Sequence, residues 1–462
     1  MATSNFRTRH FLRLLLGAGA IIGVIHLFNR GHLSPDSLHS SLGIGRTSPF
    51  TPPEDIDQTP LPCSELEGAN DTVVIMKTGA TEMQARLPVH LSSTFRCYPN
   101  RLVISDHVED YYGHKTIDAL EYVTSDVKAS NPDFILWRRL RKNGRKGLTQ
   151  QDLSMAKTKV TDALGKPDNP GWKLDKWKFL PMVNRTLFEY PSKQWYIFVE
   201  TDTYIMWSTT LAWLNTLNAS EPIYLGAQMQ IGDVIFAHGG SGFILSQAAM
   251  RNVVELFRHE QRKWEGFTQE HWAGDCVLGR AVHASGCPLT WAWPIFQGNK
   301  PGAVQYGEDN YSKRLWCYPT ISYHHMLPEE IKDLWTWEQE RIARNEPLVR
   351  HHNVFNDYIL PRIASGSEQK PFMSDWNNLS PDLIPHVKNV IECREKCENE
   401  PNCVQFVFYE NQCKHSTAPL LGEGARGARS GWLLDRVERF RDSRDQCKDE
   451  LWIDLPKIRR ED

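Results

Sequence analysis

Residues 195–207 read "WYIFVETDTYIMW". The run Trp195 to Val199 is apolar, aromatic and β-branched, the composition of a buried strand. Two carboxylates, Glu200 and Asp202, stand at its C-terminal end. A carboxylate beside apolar packing is costly unless it is paired, hydrogen-bonded or metal-bound. The residues leave two readings open: a metal-binding acidic turn, or a cap for the turn that follows. The same acidic-x-acidic spacing occurs at Asp55-Ile56-Asp57. That copy lies in a proline-rich stretch with no strand before it, so context rather than spacing singles out 200–202.

The flanking sequence alternates between strand and helix patterns. "TVVIMKT" (72–78) and "RLVISD" (101–106) are strand candidates. Residues 82–95 predict a helix with Pro88 as a kink, and 152–164 a second. Residues 176–190 predict a third, which Pro181 must kink or break. "NGRKG" (143–147) predicts a loop. This alternation predicts an α/β fold with a parallel or mixed sheet covered by helices. Ligands in such sheets bind beyond the carboxyl ends of strands. Asp106, Glu200 and Asp202 all fall at such ends. The stretch 107–175 carries no readable motif.

The chain has 462 residues, enough for two or three domains. With 40% hydrophobic and 24% charged residues it is globular in composition. A net charge of −3 provides no basic field for a nucleic-acid partner. The sixteen tryptophans suit cores and sugar-handling surfaces alike. Residues 1–30 place Arg7, Arg9 and Arg13 ahead of an apolar run from Leu14 to Phe28. No small-x-small cleavage site follows that run, so an uncleaved signal-anchor in a lipid bilayer is expected. The positive flank puts the N-terminus in the cytoplasm and the rest in a lumen, as in a single-pass type II membrane protein. Removal of the run would instead give a soluble secreted protein. Residues 31–65, rich in Pro, Ser and Thr around 34–62, predict a flexible stem. A body follows at 66–375. The ten cysteines are compatible with disulfides in an oxidising compartment. Sequons at Asn70, Asn184, Asn218, Asn310 and Asn378 agree with a lumenal glycoprotein. Cys393, Cys397, Cys403 and Cys413, with Cys447 beyond, predict a small disulfide-stapled domain at 385–447 rather than a zinc site. The odd count of five leaves one partner open.

Three further stretches carry chemistry. "FAHGGSGFILS" (236–246) sets Gly239 and Gly240 between apolar flanks. Glycines there allow close backbone approach to a ligand, or a tight turn between strand and helix. "HWAGDCVLG" (271–279) offers Asp275 as a catalytic acid or as a helix cap. "YPTISYHHMLPEE" (318–330) has His324 and His325 ahead of a helix opened by Pro328. Neighbouring residues of a strand point to opposite faces, so one histidine is expected to face the site and the other not.

The order "VIMKT", "ETDTY", "HGGSGFILS", "GDCVLG", "SYHH" resembles the Fringe and core-1 β-1,3-galactosyltransferase group, glycosyltransferase family 31, over roughly residues 70–335. The combination with a C-terminal cysteine domain resembles fungal members. Residues 385–437 resemble a PAN/Apple module. The resemblance implies a GT-A fold, a Rossmann-like mixed sheet flanked by helices, with a small disulfide-rich α+β domain after it. It implies a UDP-sugar donor, Mn²⁺, and inverting transfer to a glycan or glycoprotein acceptor, with a β-1,3 link. Galactose is the favoured sugar and N-acetylglucosamine the alternative. By the same resemblance Asp202 and His324 are metal ligands, with His325 one alignment step away. Asp275 is the general base. Lys77, Thr78, Arg86 and Asp106, with Glu200, Thr201, Gly239 and Gly240, line the donor site. The family's acidic triplet is usually three aspartates. Here the first acid is longer and the middle one is absent, which leaves a second reading, a non-catalytic lumenal glycan-binding protein.

Overall fold

A computed structural model describes residues 61–157, 169–367, 372–444, 447 and 452–453. The expected anchor and most of the stem lie outside the described residues. Among the described residues no helix is long and apolar enough to cross a membrane.

The body is built on a seven-stranded mixed sheet. Its strands are β1 (Thr72–Lys77), β2 (Arg101–Ser105), β3 (Ile117–Asp118), β4 (Trp195–Glu200), β5 (Tyr224–Gly226), β6 (Phe243–Ser246) and β7 (Leu289–Trp291), in the order β7-β5-β6-β4-β1-β2-β3. β1 runs parallel to both β2 and β4, whereas β6 is antiparallel to β4 and β5. Strand β4 is apolar from Trp195 to Val199 because both faces of the sheet are covered. Tyr196 and Phe198 enter one core with Phe179, Val183 and Val277. Trp195, Ile197 and Val199 enter the other with Leu87, Trp207 and Trp213.

The covering helices are α1 (Met83–Leu91), α2 (Pro170–Asp175), α3 (Phe179–Glu189), α4 (Trp207–Leu214), α5 (Gln247–His259), α6 (Gly274–Ala284) and α7 (Pro328–Ala343). Pro181 does not break or kink the third expected helix. That helix begins at Phe179, so Pro181 sits in its first turn, where a missing N–H has no intrahelical partner to lose. The glycines at 239–242 lie between two strands, Val234–Ala237 and β6, rather than between strand and helix.

Pro62–Glu65, assigned to the stem by composition, forms a 3₁₀ turn whose Cys63 is buried and bonded to Cys97. At the other end, a five-stranded antiparallel sheet starts at Met373, and helix α8 (Val390–Asn399) packs on it. Disulfides Cys393–Cys413 and Cys397–Cys403 pin that helix. The fifth cysteine, Cys447, pairs with Cys317 of the body, 130 residues away. Cys276 and Cys287 are free and buried. Val404, Leu421, Trp432 and Val437 of the tail share a core with Tyr306, Trp316 and Phe355. Lys300 bridges Glu330 at 3.0 Å and Glu423 of the tail at 3.1 Å. The cysteine-rich segment is thus packed into the body rather than hung from it.

Burial divides the sequons. Asn70, Asn218 and Asn310 are exposed. Asn184 is buried and accepts from Arg258 Nε at 2.8 Å. Asn378 is fully buried and donates to the Phe406 carbonyl. A glycan on either would displace core contacts. Expressed through a secretory host, the chain is expected to carry N-glycans only at Asn70, Asn218 and Asn310. Peptide mass spectrometry after enzymatic deglycosylation checks this, and occupancy of Asn184 or Asn378 in folded protein contradicts the structure.

Candidate active site

The C-terminal edge of the three central parallel strands gathers charge. Parallel register sets Lys77 opposite Glu200. Lys77 Nζ lies 3.0 Å from Glu200 and 2.6 Å from Asp175, the last residue of α2. It also sits over the Phe179 ring, 4.7 Å from its centroid. Burial alone lowers a lysine pKa. Here the Asp175 and Glu200 charges outweigh it and hold the ammonium well above its usual range. Beside it Lys178 Nζ meets Asp106 at 2.9 Å and the Thr78 carbonyl at 2.8 Å, both side chains being almost wholly buried. The Ala80 N–H donates to the other Asp106 oxygen.

The acidic turn itself splits. Glu200 serves Lys77. Thr201 is buried, and its carbonyl meets His90 Nε2 at 2.9 Å, which ties the turn to α1. Asp202 faces a separate cluster, with Arg86 at 2.7 Å on one oxygen and His324 Nε2 at 3.4 Å on the other. Burial pulls the Asp202 pKa up, but His324 and Arg86 prevail and hold it far below the usual carboxylate range. For His324, burial works against protonation, and Asp202 overcomes it to raise the pKa.

Both histidines reach this place, contrary to the alternation expected of a strand. The strand, Ser322–Tyr323, has ended before them. His325 adopts φ 59°, in the left-handed region, which turns its ring back to within 3.8 Å of the His324 ring centroid. Asp202, His324 and His325 therefore offer ligand atoms that all lie within 4.8 Å of one another. His324 Nδ1 is buried without a hydrogen-bond partner. One carboxylate and two imidazoles suit a divalent transition metal.

Gly240 makes room for this cluster. A Cβ there would collide with the His324 imidazole. Its carbonyl accepts from Thr203 Oγ1 at 2.6 Å, which fixes the glycine loop to the acidic turn. The Gly239 N–H donates to Asp275 Oδ2 at 2.9 Å, and the Cys276 N–H to Oδ1 at 2.9 Å. Asp275 lies in the first turn of α6, but Ala273 occupies the capping position and makes no side-chain hydrogen bond there. Burial lifts the Asp275 pKa to about 6, against those two N–H donors.

The structure also adds residues that sequence reading missed. Asp175 and Lys178 are the partners of Lys77 and Asp106, yet Asp175 closes the stretch without a motif. The spacing Asp175–Lys178 is an i,i+3 ion pair, and that was the available signal. Glu82 lies one turn before Arg86. Burial, opposed by Arg86 and reinforced by Asp202 and Glu200, moves its pKa to about 7. His238 lies 5.3 Å from His324 between ring centroids, and burial and then His324 push its pKa down to about 3.

This arrangement can be compared with known proteins. Residues 181–331 match the Fringe-like family. The matched stretch holds Glu200, Asp202, Gly239, Gly240, Asp275, His324 and His325, whereas Lys77, Thr78, Arg86 and Asp106 precede it. Over 160 residues the chain is 28% identical to a Homo sapiens beta-1,3-glucosyltransferase, covering 33% of this chain and 29% of that protein. Over 158 residues it is 25% identical to a Xenopus laevis glycoprotein-N-acetylgalactosamine 3-beta-galactosyltransferase 1, covering 30% of this chain and 44% of the relative. The chain thus spans less than half the length of either relative.

Gly240 gives the Fringe-like segment a sharp test. If Asp202, His324 and His325 hold a divalent ion, Gly240→Ala is expected to displace His324 and weaken Mn²⁺ affinity about tenfold or more, while circular dichroism stays that of the wild type. Electron paramagnetic resonance of free Mn²⁺ reads the affinity. Unchanged affinity, or no Mn²⁺ binding by the wild type, removes His324 as a candidate metal ligand.

Proposed function

We propose that the protein is a metal-dependent inverting glycosyltransferase that moves a hexose from a UDP-sugar to a hydroxyl of a glycan or glycoprotein, forming a β-1,3 link. The charge balance at the sheet edge carries this reading. Lys77, Lys178 and Arg86 face four carboxylates, Asp106, Asp175, Glu200 and Asp202. Such a surplus of acid repels a diphosphate unless a divalent cation accompanies it. Asp202 and His324, with His325, would hold that cation, for which Mn²⁺ suits the mixed oxygen and imidazole donors. Bound there, it would stabilise negative charge on the departing UDP as a Lewis acid.

The chain's own residues then have separate tasks. Arg86 neutralises Asp202 in the free protein and is the cation best placed to meet a phosphate when that pairing changes. Lys77, held charged between its two carboxylates, fixes the ends of β1, β4 and α2 to one another under the donor. Asp106 and Thr78, locked by Lys178, shape the wall behind the nucleotide. Gly239 and Gly240 leave the room that Phe179, Asp275 and the His324 imidazole occupy around the donor site. Asp275 takes the proton of the acceptor hydroxyl, on the side opposite the leaving group. Its raised pKa makes it a better base than a solvated aspartate while leaving it ionised at neutral pH. Galactose is the preferred donor sugar, in line with the activity for which the Xenopus relative is named. The human relative's name keeps glucose open, and the resemblance to Fringe keeps N-acetylglucosamine open. A type II Golgi setting, with residues 1–30 as anchor, fits the disulfides and the exposed sequons. The disulfide-pinned helix and antiparallel sheet of the tail fit a PAN/Apple-like module.

Two tests follow. The full chain is expected to hydrolyse or transfer from UDP-galactose in the presence of Mn²⁺. Asp275→Asn keeps an acceptor for the Gly239 N–H and is expected to lower kcat on the order of 10²–10⁴-fold with UDP binding intact. Unchanged turnover removes Asp275 from the role. In the wild type, protonation of Asp275 must switch the base off. The kcat/KM profile should therefore fall about tenfold per pH unit below about pH 6. A rate independent of pH from 7 to 5 contradicts that assignment.

A further inference from the structure

Trp172 and Trp272 come from segments about a hundred residues apart, yet their indoles stack with centroids 5.9 Å apart and planes 18° from parallel. Trp272 is 38% exposed, the one tryptophan among the exposed large hydrophobic side chains of the described residues, and Trp172, stacked on it, is half-buried. Stacking an indole pair at the surface leaves apolar area in water that a core position would have covered. Neither ring serves the sheet's two cores.

Their position ties them to the site. Trp172 lies one helical turn before Asp175, which holds Lys77. Trp272 lies three residues before Asp275, a chain distance of at most about 10 Å. The two segments are pressed together. A Cβ on Gly274 would collide with the Phe179 ring and stand 2.6 Å from the Lys176 Cα. Lys176 Nζ also donates to the Gln269 carbonyl at 3.3 Å. So the pair is held on a rigid seam, beside Asp275.

We infer that the exposed face of Trp272, backed by Trp172, is a stacking platform for a pyranose ring of the acceptor glycan. A pyranose presents a face of C–H groups, and a flat indole is the side chain that covers such a face with most area and least loss of rotamer freedom. The occupant must belong to the acceptor, because Asp275 receives the acceptor's proton and the nucleotide lies across Lys77. The inference rests on the transferase reading for that assignment. The platform itself depends only on the two rings.

The test uses the full chain on an oligosaccharide array, followed by titration of the best-bound glycan, for wild type, Trp272→Ala, Trp272→Phe and Trp172→Ala. Trp272 is exposed, so its replacement leaves the core untouched. The expected result is glycan binding by wild type, weakened about tenfold or more in Trp272→Ala and largely restored in Trp272→Phe. Trp172→Ala is expected to fall between. Calorimetric UDP binding with Mn²⁺ is expected to be the same in all four proteins. Equal glycan binding by wild type and Trp272→Ala overturns the platform, as does a wild type that binds no glycan on the array. Loss of UDP binding in every protein, with Trp272-dependent glycan binding retained, overturns the transferase reading and leaves the platform standing.

Discussion

The buried ammonium of Lys77, clamped between Asp175 and Glu200, is the constraint on which the rest of the site depends. It joins the ends of two parallel strands to a helix that the sequence places far from either. Removing Lys77 would leave Asp175 and Glu200 facing each other without a cation, whereas losing either acid leaves the ammonium its other partner. Because Glu200 is committed to Lys77, Asp202 is left to face Arg86 and the histidines. The division of one acidic turn into a carboxylate that holds Lys77 and one that faces Arg86 and His324 follows from that single pairing. It also explains why the turn tolerates threonine at 201, where the peptide carbonyl rather than the side chain makes the contact with His90.

Much of the scaffold was legible because local signals agreed with the fold. The unbroken apolar run of 195–199 could be read as a strand covered on both faces, and the sheet covers it on both. Asp106, Glu200 and Asp202 could be placed at carboxyl ends because strand ends are marked by abrupt polarity. The failures have equally local causes. Pro181 looked disruptive only because the helix start was set three residues too early. The two histidines looked opposed because the strand was carried past Tyr323, and the left-handed turn at His325 has no glycine to announce it. Asp175 and Lys178 were missed because their partners, Lys77 and Asp106, are distant in sequence. No spacing rule within one chain reports a pairing of that kind.

The cysteine tail shows how covalent and apolar contacts revise a boundary drawn from composition. Cys447 looked like a leftover of the small domain. It closes a bond to Cys317, beside the strand that leads to His324 and His325. Trp432 and Val437 then share a core with Trp316. The tail therefore buttresses the segment that carries the two histidines, a mechanical role that holds whatever else it binds. The acid surplus at the sheet edge and the aromatic seam beside Asp275 divide the site into an ionic half and an apolar half. That division suits a reaction between a charged donor and a neutral sugar.

The claim at the centre of this account is that Asp202 holds a divalent cation needed for the nucleotide. The most direct measurement is calorimetric titration of UDP into the full chain, with and without Mn²⁺, for wild type and Asp202→Ala. The account predicts Mn²⁺-dependent binding by the wild type and its loss in Asp202→Ala. Binding of equal strength without metal, undiminished binding by the Asp202→Ala protein, or no binding by folded wild type with Mn²⁺ present would contradict it.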